Sequence, residues 1–165
     1  MAKHSYLLAL GSNVRHSRYG APRAVLAAAI AALTRASLAV ERRSTIIRTA
    51  PLGPSRRDFA NGAVLVSCGL NPPELLERLK RIERDFGRKR AGLAWRARVL
   101  DIDIVLWSGG MWASPGLVIP HAGFRERRFV LEPAVEIVPD WRDPVTGLSL
   151  RQLLARLTKP RPVPR

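Results

Sequence analysis

Residues 98–107 read Arg-Val-Leu-Asp-Ile-Asp-Ile-Val-Leu-Trp, and this stretch predicts a β-strand over 99–107. Because alternate residues of a strand share a face, the apolar residues at even positions, up to Leu106, are expected to point together into a core. Asp101 and Asp103 then project together from the opposite face. The strand therefore presents two carboxylates side by side.

This pair of carboxylates is suited to a divalent cation. Residues two apart on a strand have Cα atoms about 6–7 Å apart, so the oxygens of Asp101 and Asp103 can converge on one cation or a close pair. Magnesium favours such a site, since it takes a few carboxylates, several waters and the phosphate oxygens of a substrate. The alternative is a solvated strand edge whose aspartates pair with nearby arginines. Aspartate is a poor strand former and like charges on one face repel, so the sequence favours a cation, which relieves both.

The rest of the chain predicts a mixed α+β fold. Hydrophobic periodicity and turn residues give the order strand, helix, strand, strand, helix, strand. The strands are predicted at 5–10, 38–48, 60–67 and 99–107, and the helices at 22–35 and 72–86. This order is the ferredoxin-like βαββαβ arrangement with an antiparallel sheet. Many unrelated activities share that fold, so it does not identify a function.

Helix starts and the C-terminal third are also predictable. The two capping boxes are Asn71 with Glu74, at the start of the second helix, and Ser149 with Gln152, at the start of a C-terminal helix. Glycines and a proline at 109–116 predict a small extra hairpin. Residues 125–138 predict short helical turns.

The composition indicates one globular domain. The chain has 165 residues, 47% of them hydrophobic, and we expect a single domain over 1–158 followed by a flexible, proline-rich basic tail at 159–165. Its one cysteine, Cys68, excludes an intrachain disulfide and fits a reducing compartment. The apolar run 6–10 is too short for a signal peptide or a membrane span. We therefore expect a cytoplasmic protein with no membrane partner.

Basic residues lie on both sides of the aspartates. The net charge of +15 favours anionic partners, and by itself supports nucleic acid and nucleotide equally. One cluster precedes the strand and the other follows His121: Arg88, Lys89, Arg90, Arg96 and Arg98, then Arg125, Arg127 and Arg128. Guanidinium groups grip phosphate oxygens in a fork, and His121 can donate to another oxygen. Carboxylates for a metal between two arginine clusters indicate phosphoryl transfer; because the chain has no glycine-rich phosphate loop, side chains must hold the phosphates.

Aromatic side chains outside the predicted apolar stripes offer a place for an organic ring. They are Phe59, Trp95 and Phe129. Asn61 offers both a donor and an acceptor, which match a pyrimidinone-like edge. The alternative for each is an ordinary core or surface position, and periodicity does not distinguish a pterin from a nucleobase.

These residues resemble the 6-hydroxymethyl-7,8-dihydropterin pyrophosphokinase family along almost the whole chain. The matching segments are Ala-Leu-Gly-Ser-Asn at 9–13, Arg-Thr-Ala-Pro-Leu-Gly-Pro at 48–54, Phe-Ala-Asn-Gly-Ala at 59–63, Ile-Glu at 82–83, Gly-Arg at 87–88, the strand at 98–104, Ile-Pro-His at 119–121 with Arg127, and Phe-Val-Leu-Glu-Pro at 129–133. The order and spacing of Arg-x-Leu-Asp-x-Asp and Pro-His-x₅-Arg are highly specific to that family.

The resemblance implies an ATP-dependent pyrophosphokinase of folate synthesis that uses two magnesium ions. The hydroxyl of 6-hydroxymethyl-7,8-dihydropterin would attack the β-phosphorus of ATP, and AMP would leave. ATP and the pterin would be the partners of the protein. We accordingly expect a monomer that binds no nucleic acid.

The resemblance also implies roles for individual residues. The metal ligands would be Asp101 and Asp103, and the catalytic group would be these two with Arg88 and Arg98, which would close over the phosphates. ATP would be bound by Arg90, Arg98, Ile104, Leu117, His121 and Arg127, with the adenine against Ile104 and Leu117. The pterin would be bound by Thr49, Leu52, Phe59, Asn61, Trp95 and Phe129.

The chain departs from the family in its basic loop. Trp95-Arg96-Ala97-Arg98 stands where the family usually has Trp-Gly-Pro-Arg, and Ala122 stands where a tyrosine is frequent. The loop thus loses two turn-setting residues, which leaves open a family member inactivated by its altered loop. The other alternative is a basic ferredoxin-like RNA-binding module, although the chain lacks the aromatic motif of such modules on its central strands.

Overall fold

The computed structural model describes residues 2–50, 58–87, 99–160 and 162–163. The strands are β1 (His4–Ser12), β2 (Ala39–Arg43), β3 (Ile47–Thr49), β4 (Phe59–Cys68), β5 (Asp101–Trp107), β6 (Trp112–Ser114) and β7 (Leu117–Ile119). The helices are α1 (Pro22–Arg35), α2 (Pro72–Asp85), α3 (Arg128–Ile137) and α4 (Leu150–Thr158), with a 3₁₀ turn at Phe124–Glu126. The predicted mixture of helices and antiparallel sheet is confirmed. Within these ranges, no helix has the length and apolar character needed to cross a membrane.

The main sheet is antiparallel and runs in the order β2–β4–β1–β5, with β3 also paired to β4. The central strand β1 pairs with β4 over its full length and with β5 on its other side. β6 and β7 form a separate hairpin in the predicted place. Among the described strands, β5 therefore pairs on one side alone and forms an edge of the sheet. The two aspartates lie on this edge strand.

Helices cover both faces of this sheet. α1 and α2 pack against one face, around Leu8 and Leu10 of β1, and form the first core. α3, backed by α4, packs against the other face around Leu7 and forms the second core. Because successive strand residues point to opposite faces, one strand contributes to both cores. Burying each such leucine contributes about 1.5–3 kcal/mol, which makes the two cores the main source of stability.

Both predicted capping boxes are present. The Glu74 N–H donates to Asn71 Oδ1 at 3.0 Å, and the Asn71 N–H donates to Glu74 Oε2 at 2.8 Å. Ser149 and Gln152 make the same reciprocal exchange at the start of α4. These bonds satisfy N–H groups that a helix leaves without internal partners, so the local sequence sets where α2 and α4 begin.

The segment predicted as one strand over 38–48 is two strands, β2 and β3. At the break, the Ser44 N–H donates to the Ala63 carbonyl at 2.9 Å. The Ala63 N–H donates to Ser44 Oγ, also at 2.9 Å, rather than to a backbone carbonyl. The serine side chain thus substitutes for the sheet ladder where the chain bends.

The segment 125–138, predicted to hold short helical turns, contains the ten-residue helix α3. Pro133 lies inside it and has no N–H to donate, which is why the sequence did not indicate a regular helix. Contacts with the sheet edge stabilise it instead. Arg42 Nη1 donates to the Ile137 carbonyl at 2.8 Å, and Glu136 accepts from both the N–H and the hydroxyl of Thr45.

A β-bulge in β5 changes the predicted face of Leu106. Two consecutive residues of β1, Leu7 and Leu8, pair with Leu106 and Ile104, so Val105 is an extra residue. Leu106 therefore enters the second core, whereas Ile104 lies in the first core as predicted. The bulge follows both aspartates and leaves their shared face unchanged.

Candidate active site

The register across three strands brings polar residues together around Gly11. This residue lies directly opposite Asn61 on β4 and opposite Asp101 on β5. Two residues away along β1, Ala9 lies directly opposite Asp103. Directly opposite residues share a face of the sheet, so all five residues belong to one surface, which we call the open face. The small residues in its middle leave room between the amide and the carboxylates.

Asp101 and Asp103 lie half-buried on the open face, while Ile102, between them, is 3% exposed and belongs to the first core. The Asp103 side chain is 38% exposed, so solvent and ligands can reach it. Carboxylate oxygens are hard donors of the kind that Mg²⁺ prefers. Within the described ranges, no group of three or more His, Cys, Asp or Glu side chains is arranged to hold a metal. Water and phosphate oxygens would therefore complete the coordination of an ion held by the two aspartates.

His121 approaches the open face from the outer edge of β5. Its N–H donates to the Val105 carbonyl at 3.1 Å, and its Nε2 lies 3.8 Å from Asp103 Oδ2. The Gly123 N–H donates to His121 Nδ1 at 3.2 Å. Since Nδ1 is the acceptor, neutral His121 carries its proton on Nε2. The loop thus directs a hydrogen-bond donor towards the aspartate pair.

Arg127 lies on the same loop. A Cβ added to Gly123 would fall 3.0 Å from Arg127 Nε, so the guanidinium group packs against this glycine. Arg127 Cζ also lies 6.0 Å from the centre of the Phe129 ring. Gly123 therefore contacts both the imidazole of His121 and the guanidinium of Arg127, a permanent cation that lies near the Phe129 ring.

The other two arginines of the second basic cluster have partners of their own. Arg125 makes a bidentate ion pair with Asp143, at 2.6 and 2.8 Å. Arg128 pairs with Glu132 one turn along α3. Arg125 is committed to the fold, so the prediction that this whole cluster serves phosphate is wrong for it. Arg127 is the member of the cluster that packs against the His121 loop.

Asn61 is almost fully buried, with 5% of its surface exposed. Its Nδ2 donates to Thr49 Oγ1 at 2.6 Å, which fixes the orientation of the amide. A Cβ on Gly11 would lie 3.3 Å from Asn61 Oδ1 and 3.9 Å from Phe59 Cδ1. The amide and the aromatic ring therefore both approach the glycine, and Thr49, Phe59 and Asn61 lie close together.

Ile104 and Leu117, predicted to line an adenine pocket, lie together in the first core, at 4% and 8% exposed. They occupy the face of the sheet opposite the aspartates. β7, which carries Leu117, lies against β5. The structure thus brings the pair together, and places it at the outer edge of β5 rather than on the open face.

Five predicted site residues lie outside the described ranges. They are Leu52, Arg88, Arg90, Trp95 and Arg98. The altered pair Arg96-Ala97 lies outside them as well. Their predicted roles stay predictions.

A sequence model of the 7,8-dihydro-6-hydroxymethylpterin-pyrophosphokinase family matches residues 7–139 of this chain. The chain belongs to this family. The match includes the whole open face together with His121, Arg127 and Phe129. Pyrophosphoryl transfer to a hydroxymethylpterin, a step of folate synthesis, is therefore the activity of this pyrophosphokinase.

Two relatives named 2-amino-4-hydroxy-6-hydroxymethyldihydropteridine pyrophosphokinase cover most of the chain. The Synechocystis protein is 38% identical over 155 residues, which are 93% of this chain and 76% of the relative. The Methylorubrum extorquens protein is 40% identical over 152 residues, which are 91% of each chain. The similarity thus extends over nearly the full length of this chain.

Solved structures with the same fold include wild-type Plasmodium falciparum HPPK-DHPS with pteroate. This chain superposes on it with a TM-score of 0.71 at 14% identity, and the match covers 94% of this chain and 42% of that one. At such low identity the likeness shows the fold alone. The pyrophosphokinase chain spans less than half of that longer protein.

A cavity of about 530 Å³ opens beside the open face, between the start of α1 and the strands β3 and β4. Its lining includes Phe59 but none of the five residues of the open face. Phe59 thus borders this cavity and also the space over Gly11.

Sequence reasoning missed Glu83, although the pair Ile82-Glu83 belongs to the family resemblance. Glu83 lies four residues after Leu79 on the apolar stripe of α2, and that spacing was the available signal for a buried carboxylate. In the structure Glu83 is 4% exposed and accepts a hydrogen bond from the Ile102 N–H.

Replacing Gly11 by alanine tests how tightly the open face is packed. The added methyl group would crowd Asn61 Oδ1 at 3.3 Å and displace the amide. We expect the dissociation constant of a pterin ligand to rise roughly three- to tenfold, measured by fluorescence titration. The matched control is Gly62→Ala, whose methyl group would meet Ser44 Oγ at an ordinary 3.6 Å. Equal losses of affinity in both variants would contradict the packing described.

Proposed function

We propose that the open face is where this pyrophosphokinase transfers the β- and γ-phosphates of ATP to the hydroxymethyl arm of 6-hydroxymethyl-7,8-dihydropterin. The observation that carries the proposal is the pair Asp101 and Asp103, side by side with Gly11 and Asn61. A metal-binding pair and a polar amide on one surface suit a reaction between a nucleotide and a small polar ring.

The two aspartates fit a pair of magnesium ions. Two hard oxygen donors with partial solvent access match the preference of Mg²⁺ for a few carboxylates plus waters and phosphate oxygens. Bound magnesium supplies charge neutralisation on the phosphates and lowers the pKa of the attacking hydroxyl. The roles left to the chain are to orient the phosphates and to exclude water.

Cationic and donor groups would hold the triphosphate. His121 offers Nε2–H towards Asp103, and Arg127 offers a guanidinium on the same loop. By resemblance, Arg88, Arg90 and Arg98 would add three cations from the basic loop, which would close over the phosphates and exclude water.

In the reaction, the hydroxyl oxygen of the pterin forms a bond to the β-phosphorus and loses its proton. The bond between the β-phosphorus and the oxygen that bridges to the α-phosphorus breaks. AMP leaves with that oxygen. Positioning and charge neutralisation account for the acceleration, so no protein general base is required.

By resemblance, the pterin ring would stack between Phe59 and Phe129, and Trp95 would also contribute to its binding. Asn61 would bind its pyrimidinone edge, together with the backbone of Thr49 and Leu52. The fixed orientation of the Asn61 amide supports this assignment, since a preset donor and acceptor loses little entropy on binding.

His121→Ala is expected to lower kcat/KM for ATP by about ten- to a hundredfold, because a hydrogen bond to a charged phosphate contributes about 1.5–3 kcal/mol. The KM for the pterin should change little. His121→Gln is the matched variant, since its Nε2 can donate from a similar position, and it should recover most of the loss. Steady-state kinetics with each substrate varied would check this; equal loss in both variants would argue against a phosphate contact.

The same proposal takes the chain as a single ferredoxin-like domain over 1–158 that works as a cytoplasmic monomer. The rival function is RNA binding, which the charge of +15 alone would equally support. A salt titration separates the two. Non-specific RNA affinity falls steeply with salt, whereas magnesium-dependent ATP binding should persist at moderate salt.

The direct test is product analysis. The protein is incubated with ATP labelled in the β-phosphate, magnesium and 6-hydroxymethyl-7,8-dihydropterin. We expect unlabelled AMP and a labelled pterin pyrophosphate in equal amounts. Release of ADP, or no pterin-dependent reaction, would contradict the proposal, and the latter would indicate a member inactivated by its altered loop.

A further inference from the structure

We infer that Glu83 is a positioning residue that holds the metal-binding segment of β5 in place from its outer edge. The inference rests on the proposed metal site at Asp101 and Asp103. Its starting point is one hydrogen bond, in which the Ile102 N–H donates to Glu83 Oε1 at 2.8 Å. The carboxylate belongs to the last turn of α2 and is 4% exposed.

The donor in this bond sits between the two proposed metal ligands. Its peptide group joins Asp101 to Ile102, and Asp103 follows directly. Rotation of that peptide would move the two carboxylates relative to each other. Because Mg²⁺ demands near-octahedral geometry at about 2.0–2.1 Å, shifts of a few tenths of an ångström weaken its binding.

The bond also fills a gap in the sheet. β1 pairs with the inner edge of β5, and among the described strands none forms ladder hydrogen bonds with the outer edge, although β7 lies nearby. At that edge Glu83 receives the Ile102 N–H, and the Val105 carbonyl receives the His121 N–H. These two hydrogen bonds lie on either side of Asp103 in the sequence, so the outer edge of β5 is fixed before and after this proposed metal ligand.

The end of α2 that carries Glu83 is itself well anchored. Phe86, three residues later, is 3% exposed and stacks on Tyr19 with ring centres 5.0 Å apart. Gly87 follows with a φ of +94°, a conformation that favours glycine, and ends the helix. The carboxylate therefore acts from a fixed support.

Two conservative variants separate the hydrogen bond from the charge. Glu83→Gln keeps an acceptor oxygen at the same reach but removes the charge. Glu83→Asp keeps the charge but shortens the side chain by one methylene, so the oxygen no longer reaches the Ile102 N–H. Glu83→Ala removes both. If Glu83 positions the strand through this bond, Glu83→Gln should bind metal like the wild type and Glu83→Asp should bind it less well.

The experiment measures Mn²⁺ binding by electron paramagnetic resonance in the presence of a non-hydrolysable ATP analogue, and exchange of the Ile102 amide by NMR. We expect Glu83→Asp and Glu83→Ala to weaken Mn²⁺ binding about tenfold or more and to speed amide exchange at least tenfold. Glu83→Gln should stay within about threefold of the wild type in both. If Glu83→Ala prevents folding, the comparison of Glu83→Gln with Glu83→Asp still tests the role of the hydrogen bond.

Two controls exclude indirect effects. Glu77→Ala removes an exposed carboxylate from the same helix and should change neither readout. Leu26→Ala removes apolar contacts in the first core from α1, which packs on β1, β2 and β4, and should lower thermal stability without changing Mn²⁺ affinity. Loss of Mn²⁺ affinity in Leu26→Ala equal to that in Glu83→Asp would overturn the inference.

Other outcomes are equally decisive. If glutamine and aspartate weaken binding alike, the charge matters rather than the bond, and the inference is overturned. If Mn²⁺ affinity is the same in every Glu83 variant while the wild type binds, the inference alone fails. If the wild type itself binds no Mn²⁺ with the analogue, the proposed metal site fails with it.

Discussion

Asp103→Ala is expected to lower the turnover number of the pyrophosphokinase at least about a thousandfold. Loss of one of two protein ligands weakens the metal that neutralises the phosphates, and such a loss costs several kcal/mol of transition-state stabilisation. Asp103 is also the carboxylate nearest His121 Nε2, so its removal disturbs the imidazole as well. The measurement is AMP formation at saturating ATP, pterin and magnesium.

The matched control for this variant is Asp140→Ala. The Asp140 side chain is 87% exposed and lies 3.7 Å from Arg151, so its loss should leave turnover unchanged. Retention of more than about a tenth of the wild-type rate by Asp103→Ala would contradict the metal assignment, because a residue that holds a catalytic ion cannot be removed at so small a cost.

Asp143→Ala is expected to lower the free energy of unfolding by about 3–5 kcal/mol, the cost of breaking a buried ion pair from one side. The Asp143 side chain is fully buried and accepts from both Arg125 nitrogens, the Val145 N–H and the Thr146 hydroxyl. Without it, Arg125 would keep a partly buried, uncompensated charge. Urea unfolding of both proteins checks the prediction.

A double variant tests that explanation. Asp143→Leu with Arg125→Leu removes the whole pair, and should lose less stability than Asp143→Leu alone. If the double variant loses the sum of the two single losses, the pair is not coupled as described. Asp140→Ala serves again as the exposed control, with an expected change below about 0.5 kcal/mol.

The same pair predicts a dependence of stability on pH. Burial alone would raise the pKa of Asp143, but the hydrogen bonds from Arg125, Thr146 and the Val145 N–H outweigh it and hold that pKa at about 2. The pKa is thus lower in the folded chain than the ordinary 3.8. The contribution, about 2 kcal/mol, is present above pH 4 and is lost as the pH falls through 2.

Unfolding measurements between pH 2 and 6 would check this sign. The stability difference between wild type and Asp143→Ala should shrink on acidification. A difference that grows towards pH 2 would contradict the assignment.

Because the Arg125–Asp143 pair holds the turn between His121 and Arg127, loss of the pair should also weaken ATP binding.

The local sequence was sufficient for elements with local causes. The capping boxes at Asn71 and Ser149 formed as predicted, because each needs side chains three residues apart and nothing more. The shared face of Asp101 and Asp103 followed from the two-residue period of a strand. Periodicity therefore places the two aspartates on one face of the strand without reference to any tertiary contact.

The sequence alone does not predict contacts between residues that are far apart in the chain. Nothing local distinguishes Arg125 from Arg127; Asp143, eighteen residues away, commits the first to the fold. The bulge at Val105 depends on how β1 pairs with β5, and it turned Leu106 to the other core. The meeting of Asn61 with the aspartates across Gly11 likewise required the strand order.

The sequence prediction for the α3 segment was wrong for a related reason. Pro133 lowers the helix propensity of the segment, and contacts from Arg42 and Thr45 outweigh that local preference. Propensity is a weak guide where tertiary contacts satisfy the ends of a helix.

The position of the bound metal would decide whether Asp101 and Asp103 are its ligands. Crystals grown with Mn²⁺, a non-hydrolysable ATP analogue and 6-hydroxymethyl-7,8-dihydropterin would reveal it by anomalous scattering. We predict manganese within about 2.0–2.4 Å of oxygens from both Asp101 and Asp103, with the pterin over Asn61. Manganese and nucleotide bound away from both aspartates would contradict this prediction.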